Sequence, residues 1–241
     1  MVKRQSKQVK NGVKYYIVKG LKVIKKIFLG FIVLSFFLTI LYRFINPPFT
    51  PLMLIRCVEQ IFNDKTLRLK KQWVDIENIS PKLIRCVIIS EDQKFLEHNG
   101  FDFESIAKVY DMNKKNKNIK GASTISQQTA KNVFLWPSRS WIRKGLEAYF
   151  TILIELCWSK KRIMEVYLNV IEMGDGIYGA EATSNFYFNK KSKDLKLSEA
   201  ALIAACLPAP LKWHPNKPYY FILQKQNWIM QRYWKYKDIK L

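Results

Sequence analysis

Sixteen consecutive residues, Ile27 to Tyr42, carry no charge, and this run constrains the chain more than any other feature. An apolar segment of this kind must leave water, although it falls a little short of the roughly 20 residues that a spanning helix needs. Val23, Ile24, Phe44 and Ile45 lengthen it, and Lys25, Lys26 and Arg43 stand where long basic side chains can reach the two interfaces. A cleaved leader would have an apolar core of about 7–15 residues followed by small residues at the cleavage site. Here the run passes into Arg43-Phe-Ile-Asn-Pro-Pro-Phe-Thr50, which offers no such site. The expectation is an uncleaved transmembrane anchor over residues 27–45.

Charge sets its orientation. Residues 1–26 hold nine basic side chains and no acid, so this tail stays in the cytoplasm and the remainder is carried outward. In a bacterium the remainder then lies on the periplasmic, outer face of the inner (plasma) membrane. The whole chain has 41 Lys and Arg against 19 Asp and Glu, a net charge of +22, which calls for a polyanionic neighbour. Nucleic acid, anionic lipid and diphosphate substrates all qualify. A translocated domain does not meet chromosomal DNA, and no helix-turn-helix or RNP-like pattern is present, so nucleic acid is set aside. The four cysteines, Cys57, Cys86, Cys157 and Cys206, are scattered without a C-x-x-C pair. That excludes a zinc knuckle and a dense disulfide framework. With only His98 and His214, a histidine metal site or a Ser-His triad has almost no raw material.

Residues 46–79 form a membrane-proximal segment. Leu52, Leu54, Ile55, Val58, Ile61 and Phe62 fall roughly at helical spacing before the basic stretch Lys65–Lys71. This fits a helix lying on the membrane surface and equally a linker helix packed on the domain. From Ser80 onward the apolar spacing is mostly helical. Ser80-Pro81 is a helix start, Thr124 and Gln127 have capping-box spacing, and further helices are expected over about 140–158, 160–172 and 198–207. Asp111–Asn118 is polar, basic and loop-like. Residues 80–241 therefore read as one mainly α-helical domain.

Three constellations could carry chemistry. Glu91-Asp92 closes an apolar helix, and on its own the pair is better read as a polar helix end stopped by Gly100. Gly121-Ala-Ser123-Thr124 opens the next helix as an anion-receptive end, or as plain N-capping, with Thr124, Gln128 and Lys131 on one face. Arg143 and Glu147 are i, i+4 neighbours, on their own a surface ion pair of about 0.3–0.5 kcal/mol. Trp141, Ile142, Leu146 and Tyr149 nevertheless suggest a helix packed on several sides.

Taken together these stretches resemble the signature motifs of the bacterial peptidoglycan glycosyltransferases, in particular the stand-alone, monofunctional biosynthetic transglycosylases. The likeness continues through Lys160–Asn169, Gly174–Ala182, Tyr187-Phe188, Leu197–Leu202 and Pro208-Ala-Pro210, so that five motifs follow in order over about residues 80–220. The resemblance implies a lysozyme-like helical lobe with a small membrane-facing jaw, here within about Phe103–Lys120, and no transpeptidase domain. It implies polymerisation of lipid II into β-1,4-linked glycan strands, with inversion at the donor's anomeric carbon and release of undecaprenyl diphosphate. Carried over by motif, Glu91 is the general base and Glu147 a second carboxylate, near the leaving group or orienting basic side chains. Lys131, Arg139 and Arg143 would hold the diphosphate, with Ser123, Gln128 and Asn132 as supporting polar contacts and Lys144 as a further substrate-binding residue. No cofactor is required; a divalent cation, Mg or Mn, near the diphosphate would suit some members of the family, but no ligand set in the sequence demands one. The implied partners are lipid II, the growing glycan chain, membrane lipids, and other cell-wall synthesis and division proteins.

Two rival classes use the same residues differently. A lysozyme-like lytic hydrolase would also employ a lone helical glutamate but has no use for the Lys131/Arg139/Arg143 cluster. A catalytically inactive membrane-anchored scaffold would be expected to lose Glu91 or Glu147, and both are present. Gly174-x-Gly176-x-x-Gly179 spells a dinucleotide fingerprint, but that motif needs a preceding strand within a βαβ unit, and the preceding segment reads as a helix.

Overall fold

The computed structural model describes residues 2–115, 121, 123–138 and 140–236. These fall into two units, Met1–Phe44 and Ile45–Leu241.

The first unit is a single helix, α1 (Val2–Phe44). Its stretch Val18–Phe44 is long and apolar enough to cross a membrane. The basic tail and the apolar run share this helix, so the boundary expected between residues 26 and 27 is one of composition rather than of backbone. The Ser35 and Thr39 hydroxyls in the apolar stretch are satisfied within the helix, as a lipid environment demands. Ser35 Oγ donates to the Ile32 carbonyl at 2.9 Å and Thr39 Oγ1 to the Ser35 carbonyl at 2.8 Å.

The second unit opens with α2 (Pro51–Phe62), for which Thr50 is the N-cap and Pro51 the first residue. A two-residue strand β1 (Lys70–Lys71) follows, then α3 (Pro81–Glu91), capped by Ser80 as its Ser-Pro start predicts. Next come α4 (Phe103–Lys115), α5 (Ile125–Phe134), α6 (Trp141–Cys157) and α7 (Lys160–Val170). The strands β2 (Glu172–Gly174) and β3 (Ile177–Tyr178) lead directly into α8 (Gly179–Phe188). The last helices are α9 (Leu197–Cys206) and α10 (Tyr220–Tyr233).

Two helix clusters make the core. In one, α3 buries Leu83, Cys86, Val87, Ile88 and Ile89 against α9 and α10. The small side chains Ala200, Ala201, Ala204 and Ala205 let α9 run through the middle, and Ile222 and Ile229 of α10 close the far side. In the other, α5 lies between α6 and α7, with the Phe134 and Phe150 rings stacked at 4.4 Å. Each fully buried large apolar side chain contributes about 1.5–3 kcal/mol, so the mainly α-helical class follows from burying these faces together. The two clusters place the end of α3 beside the start of α5, where the first two constellations lie.

The sequence did not lead us to expect a sheet, yet β1, β3 and β2 form one in that order, β1–β3 parallel and β2–β3 antiparallel. The glycines of the apparent fingerprint serve it. Gly176 has φ +67°, and a Cβ there would lie 2.2 Å from the Arg68 carbonyl oxygen. The Lys70 amide donates to the Gly176 carbonyl at 2.8 Å, which ties β1 to the β2–β3 turn.

Residues 46–79 contribute α2 and β1 to this unit. Lys71 Nζ donates to the Pro47 carbonyl at 2.5 Å and the Pro48 carbonyl at 2.8 Å, and Arg162 Nη2 to that of Ile45 at 3.0 Å. Of the two readings open for the first helix there, each fits one face. Met53 and Gln60 are buried, whereas Leu54, Val58, Ile61 and Phe62 are exposed. Asp111 to Lys115 differ from the expected loop and form the last turn of α4, while residues 116–118 lie outside the described residues. The jaw expected over Phe103–Lys120 is described as far as Lys115, and it exposes Phe103, Ile106, Tyr110 and Met112.

Candidate active site

A cleft of about 650 Å³ opens in the second unit, and most of the residues singled out from sequence line it: Glu91, Ser123, Gln128, Lys131, Asn132 and Arg143. They come from three helices and one loop that are remote in sequence, brought together by the packing of α5 on its neighbours.

Glu91 is the last residue of α3, and its side chain is only one-tenth exposed. Its Oε1 accepts from Ser90 Oγ at 3.0 Å, and its Oε2 accepts from Gln128 Nε2 at 3.1 Å. Gln128 is itself held: its Oε1 accepts from the Tyr167 hydroxyl at 3.2 Å. Tyr167 is fully buried, and burial, reinforced by the nearby Glu91 and Asp92, pushes its phenol well above the ordinary value. The phenol is therefore a fixed hydrogen-bond donor rather than a proton exchanger.

The neighbouring Asp92 has a different task. One carboxylate accepts the Ile125 amide at 2.9 Å and meets His98 Nε2 at 2.9 and 3.0 Å. It thus pins the start of α5 to the end of α3. Thr124 completes the joint with the capping box foreseen from its spacing to Gln127, and its hydroxyl also donates to the Gly100 carbonyl at 2.7 Å. Gly100 has φ +92°, and a Cβ there would meet Thr151 at 2.7 Å, so glycine is required at this crossing.

The cationic part of the cleft is built on α5 and α6. Arg143 Nη1 donates to Glu147 at 2.7 Å, Lys144 pairs with the other oxygen of the same carboxylate, and Glu147 is buried. This is no surface ion pair: a carboxylate stripped of water fixes two cations in place. The Arg143 Nε is buried with no partner among the described residues. Lys131 has no hydrogen-bond or ion-pair partner among them either. Desolvation lowers its pKa, and Arg143 and Lys144 add to that, while Glu147 and Glu91 oppose it. Lys131 is a half-buried, partly desolvated ammonium held near two carboxylates without being bound by either.

Not every expected residue reaches the cleft wall. Glu147 lies behind Arg143 and Lys144, so of its two expected placements the one orienting basic side chains matches its surroundings. Lys144 lies outside the cleft wall and also approaches Ser123 Oγ at 3.5 Å. Asn132 lines the cleft and donates to the Gln128 carbonyl at 2.7 Å. Arg139 lies outside the described residues. Among the described residues no group of three or more His, Cys, Asp and Glu side chains is placed to hold a metal ion.

Sequence reasoning missed four residues at the site. Tyr167 sits within a quoted motif, but nothing in its spacing marks its hydroxyl as the support of Gln128. Arg56, from α2, lines the cleft beside Glu172, to which its Nε donates at 3.2 Å. Burial pushes the Glu172 carboxyl up, against the pull of Arg56. Lys225 of α10 stands 3.9 Å from Glu91 Oε1. The last three lie on α2, β2 and α10, outside the three constellations, and no spacing in the sequence connects them with Glu91.

The arrangement combines a carboxylate held in position at the rim of a cleft with cations available to an anion in the same space. It can take a proton from a nucleophile while stabilising an anionic leaving group.

Comparison with known proteins bears on the same region. The family model described as Transglycosylase matches residues 59–233. A biosynthetic peptidoglycan transglycosylase of Bdellovibrio bacteriovorus is 52% identical over 211 residues, covering 88% of this chain and 84% of that protein. One of Bacteroides thetaiotaomicron is 51% identical over 213 residues, covering 88% and 86%. One of Caulobacter vibrioides is 55% identical over 186 residues, covering 77% and 79%.

Proposed function

The chain belongs to the transglycosylase family, and from that premise we propose that it polymerises lipid II into β-1,4-linked glycan strands of peptidoglycan. The growing chain is the donor, with its anomeric carbon bonded to a lipid diphosphate. Glu91 Oε2 takes the proton from the acceptor's 4-hydroxyl as that oxygen attacks the anomeric carbon. The bond to the diphosphate breaks on the opposite face, the configuration inverts, and undecaprenyl diphosphate leaves with the electron pair.

Lys131 and Arg143 hold that diphosphate, and Arg139 is assigned to the same task by motif. Arginine offers a planar fork suited to phosphate oxygens, while Lys131 supplies an unpaired point charge. Glu147 keeps Arg143 and Lys144 in register. Gln128, anchored by Tyr167, presents Glu91, and Ser123 and Asn132 complete the polar wall. The reading places α1 in the bacterial inner membrane, with the helical unit on the periplasmic face where lipid-linked substrate is found. The exposed apolar residues of α2 and α4 are suited to a lipid surface.

The observation that carries this reading is the unpartnered Lys131 ammonium beside Arg143 in the cleft that contains Glu91. A hydrolase acting between uncharged sugars gains nothing from a desolvated cation there, and an inactive scaffold has no reason to keep one. The test is incubation of the purified full-length protein with lipid II in detergent. Glycan polymer is the expected product. Soluble fragments from preformed peptidoglycan would favour the hydrolase, and no product from either substrate would favour the scaffold.

A further inference from the structure

Glu91 lies where a negative charge is hard to keep. It closes α3, at the helix end whose unpaired carbonyls disfavour an anion, and the next residue is another carboxylate. Hydrogen bonds from Ser90 and Gln128 are neutral and offset this only in part. The charged and titratable groups facing it are few. From its own segment there is Asp92, already engaged by His98 and the Ile125 amide. From α7 there is the neutral Tyr167 phenol, and from α5 the Lys131 ammonium. From α10 there is Lys225, whose Nζ lies 3.9 Å from Glu91 Oε1 and which is Glu91's one ion-pair partner among the described residues.

Lys131 and Lys225 differ in what substrate does to them. Lys131 lines the cleft and is engaged by an incoming diphosphate, which cancels its field at Glu91. Lys225 does not line the cleft. Its other titratable neighbour is Cys206, a buried thiol pushed up to about 12 and so uncharged. The α10 ammonium thus remains beside Glu91 when substrate has occupied the other cation.

We propose that Lys225 is a positioning residue for Glu91, holding the carboxylate ionised and turned so that Oε1 faces α10 and Oε2 faces the cleft. The inference rests on the reading of Glu91 as the general base. Burial lowers the Lys225 pKa, and the adjacent Glu91 charge opposes that shift, as an ion pair 3.9 Å apart does.

The test is the pH dependence of kcat/KM for lipid II polymerisation by the full-length protein and its Lys225→Met, Lys225→Gln and Lys225→Arg variants. An opposite charge within about 4–6 Å lowers a carboxyl pKa by roughly 1–3 units. Losing it should move the acid limb of the profile to higher pH by about one unit or more in the Met and Gln variants, with a rate approaching wild type on the alkaline side. Lys225→Arg should keep the limb near its wild-type position. A uniform fall in rate with an unmoved acid limb would assign Lys225 a merely structural role and overturn the proposal, as would a variant that melts early and shows the same unmoved limb. If Glu91→Gln were to retain wild-type activity, the base assignment itself would fail. An inactive Glu91→Gln with an unmoved limb in the Lys225 variants would instead sink only the present inference.

Discussion

Gln128 donates to Glu91 at 3.1 Å with one end of its amide and accepts from the buried Tyr167 hydroxyl at 3.2 Å with the other. The amide cannot flip without losing both bonds, so its orientation is set by the phenol of a buried α7 residue. The cleft carboxylate is thus held through a relay from the α7 core.

The relay predicts a graded series. Glu91→Gln removes the base and should slow polymerisation by roughly 10²–10⁴-fold with the fold intact. Gln128→Ala should lower kcat with little change in KM, because it loosens the base and leaves the cations in place. Tyr167→Phe removes one hydrogen bond, about 0.5–1.5 kcal/mol, and should act in the same direction more weakly. Steady-state kinetics on lipid II with parallel thermal unfolding would check the order. A Tyr167→Phe variant slower than Gln128→Ala would show that the phenol acts by some route other than Gln128.

Arg143 is bonded on one side and open on the other. Its Nη1 is committed to buried Glu147, while the residue itself lines the cleft. Arg143→Ala should slow transfer by roughly tenfold to a hundredfold, since a charge-assisted bond is worth about 1.5–3 kcal/mol. It should also lower the thermal midpoint, because Glu147 then keeps only Lys144. Arg143→Lys should recover part of the rate, the planar fork being lost. Activity near wild type in Arg143→Ala would remove this residue from the diphosphate site.

The anchor and the helical unit are separately compact, Met1–Phe44 and Ile45–Leu241. Deletion of residues 1–44 should therefore leave a folded, helical protein that still needs detergent, because α2 and α4 keep exposed apolar side chains. Circular dichroism would show retained helix with a cooperative melt. Loss of helix on deletion would mean that the second unit depends on the first.

Helices α3, α5, α6, α7 and α9 were legible because their signals are local, whereas α8 and α10 were not foreseen and the last turn of α4 was read as a loop. Ser80-Pro81, the Thr124–Gln127 box and the proline after Leu207 each mark an end within one turn, and apolar spacing marks the buried face between. The sheet was not legible, since strands of two and three residues are too short to show alternation, and the glycines that permit it spelled a different motif. The site divides along the same line. Glu91, Gln128, Lys131 and Arg143 lie in motif-dense segments that a resemblance can carry. Arg56, Glu172 and Lys225 arrive by tertiary packing from α2, β2 and α10, and no spacing in the sequence announces that 134 residues separate an ion pair. Asp92 shows the converse, an adjacent carboxylate that sequence groups with the base and packing assigns to the α3–α5 joint.

The unpartnered Lys131 yields a prediction in which stability and activity move in opposite directions. Desolvation by the cleft wall lowers its pKa below the value it has in the unfolded chain. A group depressed in this way favours the folded state above its unfolded pKa, and that contribution is lost as pH falls through the folded value. Below its folded value the amine is charged in both states, so the cost of confining the ammonium is present, offset only in part by the nearby Glu147 and Glu91. Lys131→Met keeps most of the apolar stem and removes the charge. It should raise the thermal midpoint of the protein at pH 7, with a gain of about 1 kcal/mol appearing as roughly 2–4 °C for a domain of this size. The same variant should lose lipid II polymerisation by at least about tenfold, since one charge-assisted contact to the diphosphate is gone. Raising the pH toward the lysine range should narrow the stability gap between variant and wild type, because the wild-type ammonium is then discharged. Differential scanning calorimetry at several pH values, run beside polymerisation assays, measures both. A variant that is less stable and inactive would make Lys131 a structural cation, and one that is more stable and fully active would leave the cleft without its diphosphate-binding charge.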